Sequence, residues 1–213
     1  DTTALYPGNH ATHVAGTMTA TGVTPAARGM AYAASLWAWD WNNDAAEMAT
    51  AAGQGLRVSN HSYGPMCGFE YGNFLGPVGW YWFGDISISQ VEDYWFGFYD
   101  QTAHDWDLLA RNAPYYLIVK AAGNDRGNGP EPGGLHYYYN GSQWTTSTQV
   151  RQKDGGDNGY DCLPLYSSAK NIMTVGAIRV DGQMTSFSGW GPTDDGRIKP
   201  DVVAKGEGVY SSV

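Results

Sequence analysis

Two cysteines, Cys67 and Cys162, are all that this chain of 213 residues contains. They are too few for a disulfide scaffold and too far apart for a zinc motif, which leaves one bridge or two buried thiols as open alternatives. Basic residues are also scarce: 12 Lys and Arg stand against 21 Asp and Glu, for a net charge of −9. Such a surface repels phosphate backbones and anionic lipid, so no nucleic acid partner is expected. No apolar run approaches the ~18 residues that a membrane-spanning helix needs, so no membrane span is expected. The chain starts at Asp1 without an initiator Met, a basic n-region or an apolar h-region. Any targeting segment is therefore expected to have been removed or to lie upstream.

What the sequence does have is aromatic surface, with 9 Trp, 15 Tyr and 6 Phe. With 42% apolar residues overall, a sizeable core is feasible without metals or disulfides to hold it. Glycine, at 29 residues, is about twice the usual ~7% share and is scattered without a repeat, which implies many turns and excludes collagen or a solenoid. No Pro/Ser linker or charge block divides the chain, and one domain over residues 1–213 is expected. Low lysine with abundant Asp, Asn, Gly, Trp and Tyr leans towards a secreted, extracellular protein.

Local patterns predict the elements. Asp44-Ala-Ala-Glu47 has capping-box spacing and opens a helix expected to end near Gly53 or Gly55. A short strand is predicted over residues 56–60, and Ser89-Gln-Val-Glu92 is a second candidate capping box. Ala103, Trp106, Leu109 and Ala110 lie on one apolar helical face within residues 100–112, closed by Pro114. Residues 115–119 and 172–178 are continuous apolar runs, as expected of strands covered on both faces. Strands alternating with helices predict a parallel α/β sheet, with ligand sites at the carboxyl ends of its strands, just after Asn60, Val119 and Ile178.

Two segments carry candidate chemistry. Gly8-Asn-His-Ala-Thr-His-Val-Ala-Gly-Thr17 places His10 and His13 at the start of a helix whose Ala11, Ala15 and Gly16 allow close packing. Metal ligation by the pair is disfavoured, because the zincin pattern needs i, i+4 histidines with an intervening Glu. Alone, His10 is an ordinary polar residue. Residues 118–125 run from an apolar strand into a turn that presents Asn124 at the strand's carboxyl end, where an amide can donate to a developing oxyanion. Alone, Gly123-Asn124 is ordinary turn chemistry.

Taken together, the segments are specific. His10-Ala-Thr-His-Val-Ala-Gly-Thr17, Ala121-Ala-Gly-Asn124 and Lys199-Pro-Asp-Val-Val203 resemble, in order, the H-G-T-H-V-A-G-T, A-A-G-N and K-P-D-V signatures of the subtilisin-like serine peptidases. Arg28-Gly-Met-Ala-Tyr-Ala-Ala34, Asn60-His-Ser-Tyr-Gly64 and Ser186-Phe-Ser-Gly-Trp-Gly191 are similar to further family segments, so the resemblance spans almost the whole chain. It implies a three-layer, doubly wound, mostly parallel α/β sheet, incomplete at both ends. It also implies a serine endopeptidase that hydrolyses protein or peptide substrates through an acyl-enzyme. Carried over residue by residue, His10 is the general base, His13 its structural companion and Asn124 the oxyanion donor. Ser62, Tyr63 and Gly64 form the segment that pairs with the substrate backbone, and Ala121, Ala122 and Gly123 form the opposite wall of the side-chain pocket. No cofactor is required for the chemistry. Structural calcium is a further implication, with Asp154, Asp157, Asn158 and Asp161 as candidate oxygen ligands against a plain solvated acidic loop.

The match also breaks in places. The family's acid precedes the His motif on a strand, whereas Asp1 lacks the D-[ST]-G context, and G-T-S-M-A does not follow Lys199-Pro-Asp-Val before Val213. The catalytic Asp and Ser are thus expected outside residues 1–213, in missing segments that complete the site, and this chain alone is expected to be inactive. Ala11 replaces a family Gly, and Lys205 stands where A-P-G is usual. An alternative is therefore an inactive subtilase-like binding or scaffold protein. Residues 71–99 and 137–161 resemble insertions, whose Trp80-Tyr-Trp-Phe83 either lines a groove or sugar-binding face or, the favoured reading, packs inside.

Overall fold

The computed structural model describes residues 8–156 and 159–212. Its elements run α1 (Asn9–Thr19), α2 (Asp44–Gly53), β1 (Val58–His61), β2 (Phe69–Gly72), β3 (Gly79–Trp82), α3 (Gln101–Asn112), β4 (Leu117–Ala121), β5 (His136–Tyr139), β6 (Trp144–Ser147), β7 (Met173–Ile178) and β8 (Val202–Lys205). Four strands form a wholly parallel sheet in the order β1-β4-β7-β8, the architecture that alternating strands and helices predict. In register, Asn60 lies beside Val119 and His61 beside Lys120.

Helices α2 and α3 cover one face of this sheet. Met48, Ala103, Trp106, Tyr116, Ile118, Ala169 and Ile172 form the buried cluster between them, with Trp106 and Ile118 fully buried. Helix α3 starts where the Asp100 carboxylate accepts from the Ala103 amide at 2.8 Å, satisfying one of the free donors of the first turn. Its one polar intruder, Asp107, accepts from the amides of Lys170 and Asn171 and from the Tyr99 hydroxyl, tying the helix to the turn before β7.

Several local expectations change. Asp44 is the first residue of α2, not its cap: Asn43 takes the cap position in the left-handed region, and one Asp44 oxygen accepts from Tyr63. The helix does end at Gly53. Ser89 Oγ accepts from the amides of Val91 and Glu92 at 3.3 Å, yet no helix follows, because Asp93 turns back to bind the amides of Gly68 and Trp95. Strand β4 starts at Leu117, two residues later than the apolar run, and leaves Tyr115 80% exposed.

The two insertion-like stretches fold together. Strands β2-β3-β5-β6 make a second sheet, with antiparallel hairpins β2-β3 and β5-β6 joined by a parallel β3-β5 pair. Tyr81 and Trp82 are buried, as the packing alternative requires, and Tyr81 stacks on Tyr137 at 4.7 Å. Arg151 lies 4.0 Å over the Trp82 ring and donates to His136. Both oxygens of buried Asp154 accept from the Phe69 amide. Gly68, at φ +59°, leaves room for them, since a Cβ there would stand 2.1 Å from Asp154 Oδ1. Both cysteines are free, buried thiols beside Phe96 and Trp95, which settles the alternatives left open above.

Candidate functional site

Parallel pairing of β1 with β4 sets the segments leaving their carboxyl ends side by side: Ser62, Tyr63 and Gly64 after β1, and Ala122, Gly123 and Asn124 after β4, whose last residue is Ala121. Gly123 adopts φ +89° and a Cβ there would stand 2.7 Å from Pro164 Cδ, so this turn requires glycine. The turn exposes the Asn124 amide, which makes no side-chain hydrogen bond among the described residues. Behind it, Arg126 donates to the carbonyls of Ser188 and Thr185 and lies 3.9 Å over the Trp190 ring, anchoring the 186–191 segment.

His10 sits in the first turn of α1, exposed, with no side-chain hydrogen bond among the described residues. His13, one turn on, is half-buried and its Nε2 lies 3.2 Å from the Val209 carbonyl. Ser211 Oγ donates to the His13 carbonyl and lies 2.6 Å from where a Cβ on Gly16 would stand, so this small residue admits the chain that follows β8. Neither Ser211 nor Ser212 bonds to His10. The structure thus brings the 62–64 and 121–123 segments together, while no bond among the described residues links His10 to Asn124. In the 199–203 segment, Lys199 donates to Asp201, whose carboxylate accepts from the Thr174 amide, clamping β8 to β7. Among the described residues, the Lys205 side chain donates only to the Gly208 carbonyl, at 3.4 Å.

Beneath Tyr63 runs a chain of hydrogen bonds that the sequence motifs do not disclose. Tyr116 Oη donates to Ser59 Oγ at 2.6 Å, and Ser59 Oγ lies 2.6 Å from His61 Nε2. His61 Nδ1 lies 2.7 Å from Tyr63 Oη, which donates to Asp44 Oδ2 at 3.0 Å. Because Tyr63 spends its proton on the carboxylate, it accepts from His61 Nδ1–H, and Nε2 must then accept from Ser59. All donors therefore point one way, towards Asp44. Burial, reinforced by the Lys120 charge, holds His61 down to about 4. Protonating it in the fold is disfavoured, so the stability this residue contributes is complete above about pH 6.5 and is lost as pH falls towards 4. The span corresponds to roughly 3 kcal/mol. Urea unfolding of the protein and of His61→Gln at pH 7, 5.5 and 4 is expected to show that difference shrinking with acid. A constant difference between the two proteins would contradict it.

Family models compared with the chain agree with its motifs: the subtilase family (Peptidase S8) matches residues 2–213. The chain belongs to the subtilase family. That family is one of serine peptidases. The solved structure of the prenylagaramide maturation protease PagA is similar in fold, at a TM-score of 0.50 and 17% identity, over 93% of this subtilase and 52% of that chain. The present chain spans about half the length of that protein. No curated protein matches it.

Two features of the subtilase lie apart from these motifs. An acidic cavity of about 410 Å³ is lined by Glu92, Asp93, Asp154, Asp161 and Asp194. Of the four candidate calcium ligands, Asp157 and Asn158 lie outside the described residues, and Asp154 is committed to the Phe69 amide. No three metal-ligating side chains converge among the described residues. The second feature is Lys120, the one charged residue of β4, which is 2% exposed. Its signal in the sequence is a lysine in phase with Ile118 on the buried side of an apolar strand.

Proposed function

We propose that this subtilase sequence is the middle of a serine endopeptidase. In it, His10 takes the proton of a serine Oγ as that oxygen attacks the scissile carbonyl carbon. The C–N bond then breaks and His10 returns the proton to the leaving amine, while Asn124 donates to the transient oxyanion; water subsequently hydrolyses the acyl ester. The serine, and the carboxylate that orients His10, are supplied outside residues 1–213. Ser62, Tyr63 and Gly64 pair with the substrate backbone, and Ala121, Ala122 and Gly123 wall its side-chain pocket. The chemistry needs no metal, and calcium, where bound, is structural. Secretion fits the composition.

The observation that carries this reading is the exposed Asn124 side-chain amide, without a hydrogen-bond partner among the described residues, at the carboxyl end of a parallel strand beside the segment leaving β1. A binding or scaffold protein is the rival reading, favoured by a His10 that no carboxylate bonds among the described residues. Reacting the full-length protein with a fluorophosphonate probe and mapping the labelled peptide separates the two. Label on a serine beyond residue 213 is expected; a folded, unlabelled protein would leave the binding role.

A further inference from the structure

Lys120 lies where the two proposed wall segments meet. Strand β4 turns Ile118 and Lys120 to one buried face, which Ala122 continues. Among the described residues, Lys120 Nζ is the one heavy atom within 4 Å of where a Cβ on Gly64 would stand, at 3.8 Å. The ammonium group thus lies directly behind Gly64, with no side chain of that residue over it. That group has three donors. One of them reaches the Ala121 carbonyl at 3.3 Å, and Lys120 belongs to none of the ion pairs among the described residues. Burial lowers it to about 8, so it remains a cation at neutral pH.

The titratable groups around it do not satisfy it. His61, its register neighbour, is neutral, and burial keeps the Cys67 thiol protonated. The Asp125 carboxylate accepts from the Asn124 backbone amide and lies 3.3 Å from where a Cβ on Gly123 would stand, against the opposite wall. Glu70, beside Asp125, is pushed up to about 7 by burial and by that neighbour. Asp125 offsets the ammonium charge from across the pocket without supplying the acceptors that Nζ lacks.

We propose that Lys120 sets the specificity of this pocket and selects substrates whose side chain before the scissile bond is a carboxylate, Asp or Glu. The proposal rests on the peptidase reading above. A carboxylate passing Gly64 offers two oxygens to the unpaired donors of Nζ in a charge-assisted bond. An apolar side chain leaves those donors unmet in a drier pocket, and a basic one sets two cations against each other.

The test is a peptide series identical except at that position, carrying Glu, Asp, Gln, Leu, Phe or Lys, cleaved by the full-length protein with fluorophosphonate labelling in parallel. Expected is a kcat/KM for Glu or Asp at least about tenfold above those for Leu and Lys. Lys120→Met should cut the Glu-to-Leu ratio by about tenfold or more, and Lys120→Arg should keep the acidic preference. Cleavage fastest at Leu, Phe or Lys, or a Lys120→Met ratio equal to that of the parent, overturns the role of Lys120 and leaves the peptidase reading standing. Neither cleavage nor labelling overturns both. The parent protein's own profile decides the matter even if a variant does not fold.

Discussion

His10→Ala in the full-length protein is expected to lower kcat by roughly 10²–10⁴-fold or more, because a positioned base contributes on that scale. Asn124→Leu, which removes the donor and keeps the size, is expected to cost about 10²–10³-fold. The loss should fall on kcat more than on KM, since an oxyanion exists only in the transition state. Neither change should move the unfolding midpoint, because both side chains are exposed and neither bonds another described side chain. Steady-state kinetics paired with thermal melts reads both quantities from one preparation. Near-parental turnover in either variant would falsify the corresponding role.

The second large effect is on stability. Asp107→Ala takes the buried acceptor away from three part-buried donors: the Lys170 and Asn171 amides and the Tyr99 hydroxyl. Stranding that many groups is expected to cost about 3–5 kcal/mol, a fall in melting temperature of roughly 6–20 °C. Asp107→Asn retains one acceptor oxygen and should lose markedly less. If the Ala and Asn variants melt together, the amide contacts are not what holds α3 to the turn before β7.

Some local patterns were legible in the sequence. Helix α3 follows from Asp100 and from the phase of Ala103 and Trp106, and the end of α2 from Gly53. The His10 and Asn124 segments were legible through motif order, which carries the fold with it. The second sheet was not, because Gly79–Trp82 and His136–Tyr139 have no alternation of apolar and polar residues to mark a face, and the alternation of Phe69–Gly72 puts exposed Tyr71 in phase with buried Phe69. Their strand character depends on one another. Ser89 shows the same limit from the other side, since its cap bonds form but the tertiary demand of Gly68 on Asp93 prevents the helix. The Asp44-to-Tyr116 chain escaped notice because its members come from α2, β1 and the entry to β4, and only burial orders them.

The parallel join of β3 to β5 also governs how the polypeptide acquires its shape. Trp80 finds His136, and Phe69 finds Asp154 85 residues on, so the hairpin carrying Tyr81 and Trp82 leaves the ribosome well before its cover. At ~5–20 residues per second of synthesis the delay over those 85 residues is ~4–17 s. The main sheet waits in the same way, since Ser59 meets Tyr116 57 residues later. High contact order in both sheets makes this a slow folder by topology. Through that interval the nascent hairpin holds its aromatic rings without the strands that later cover them.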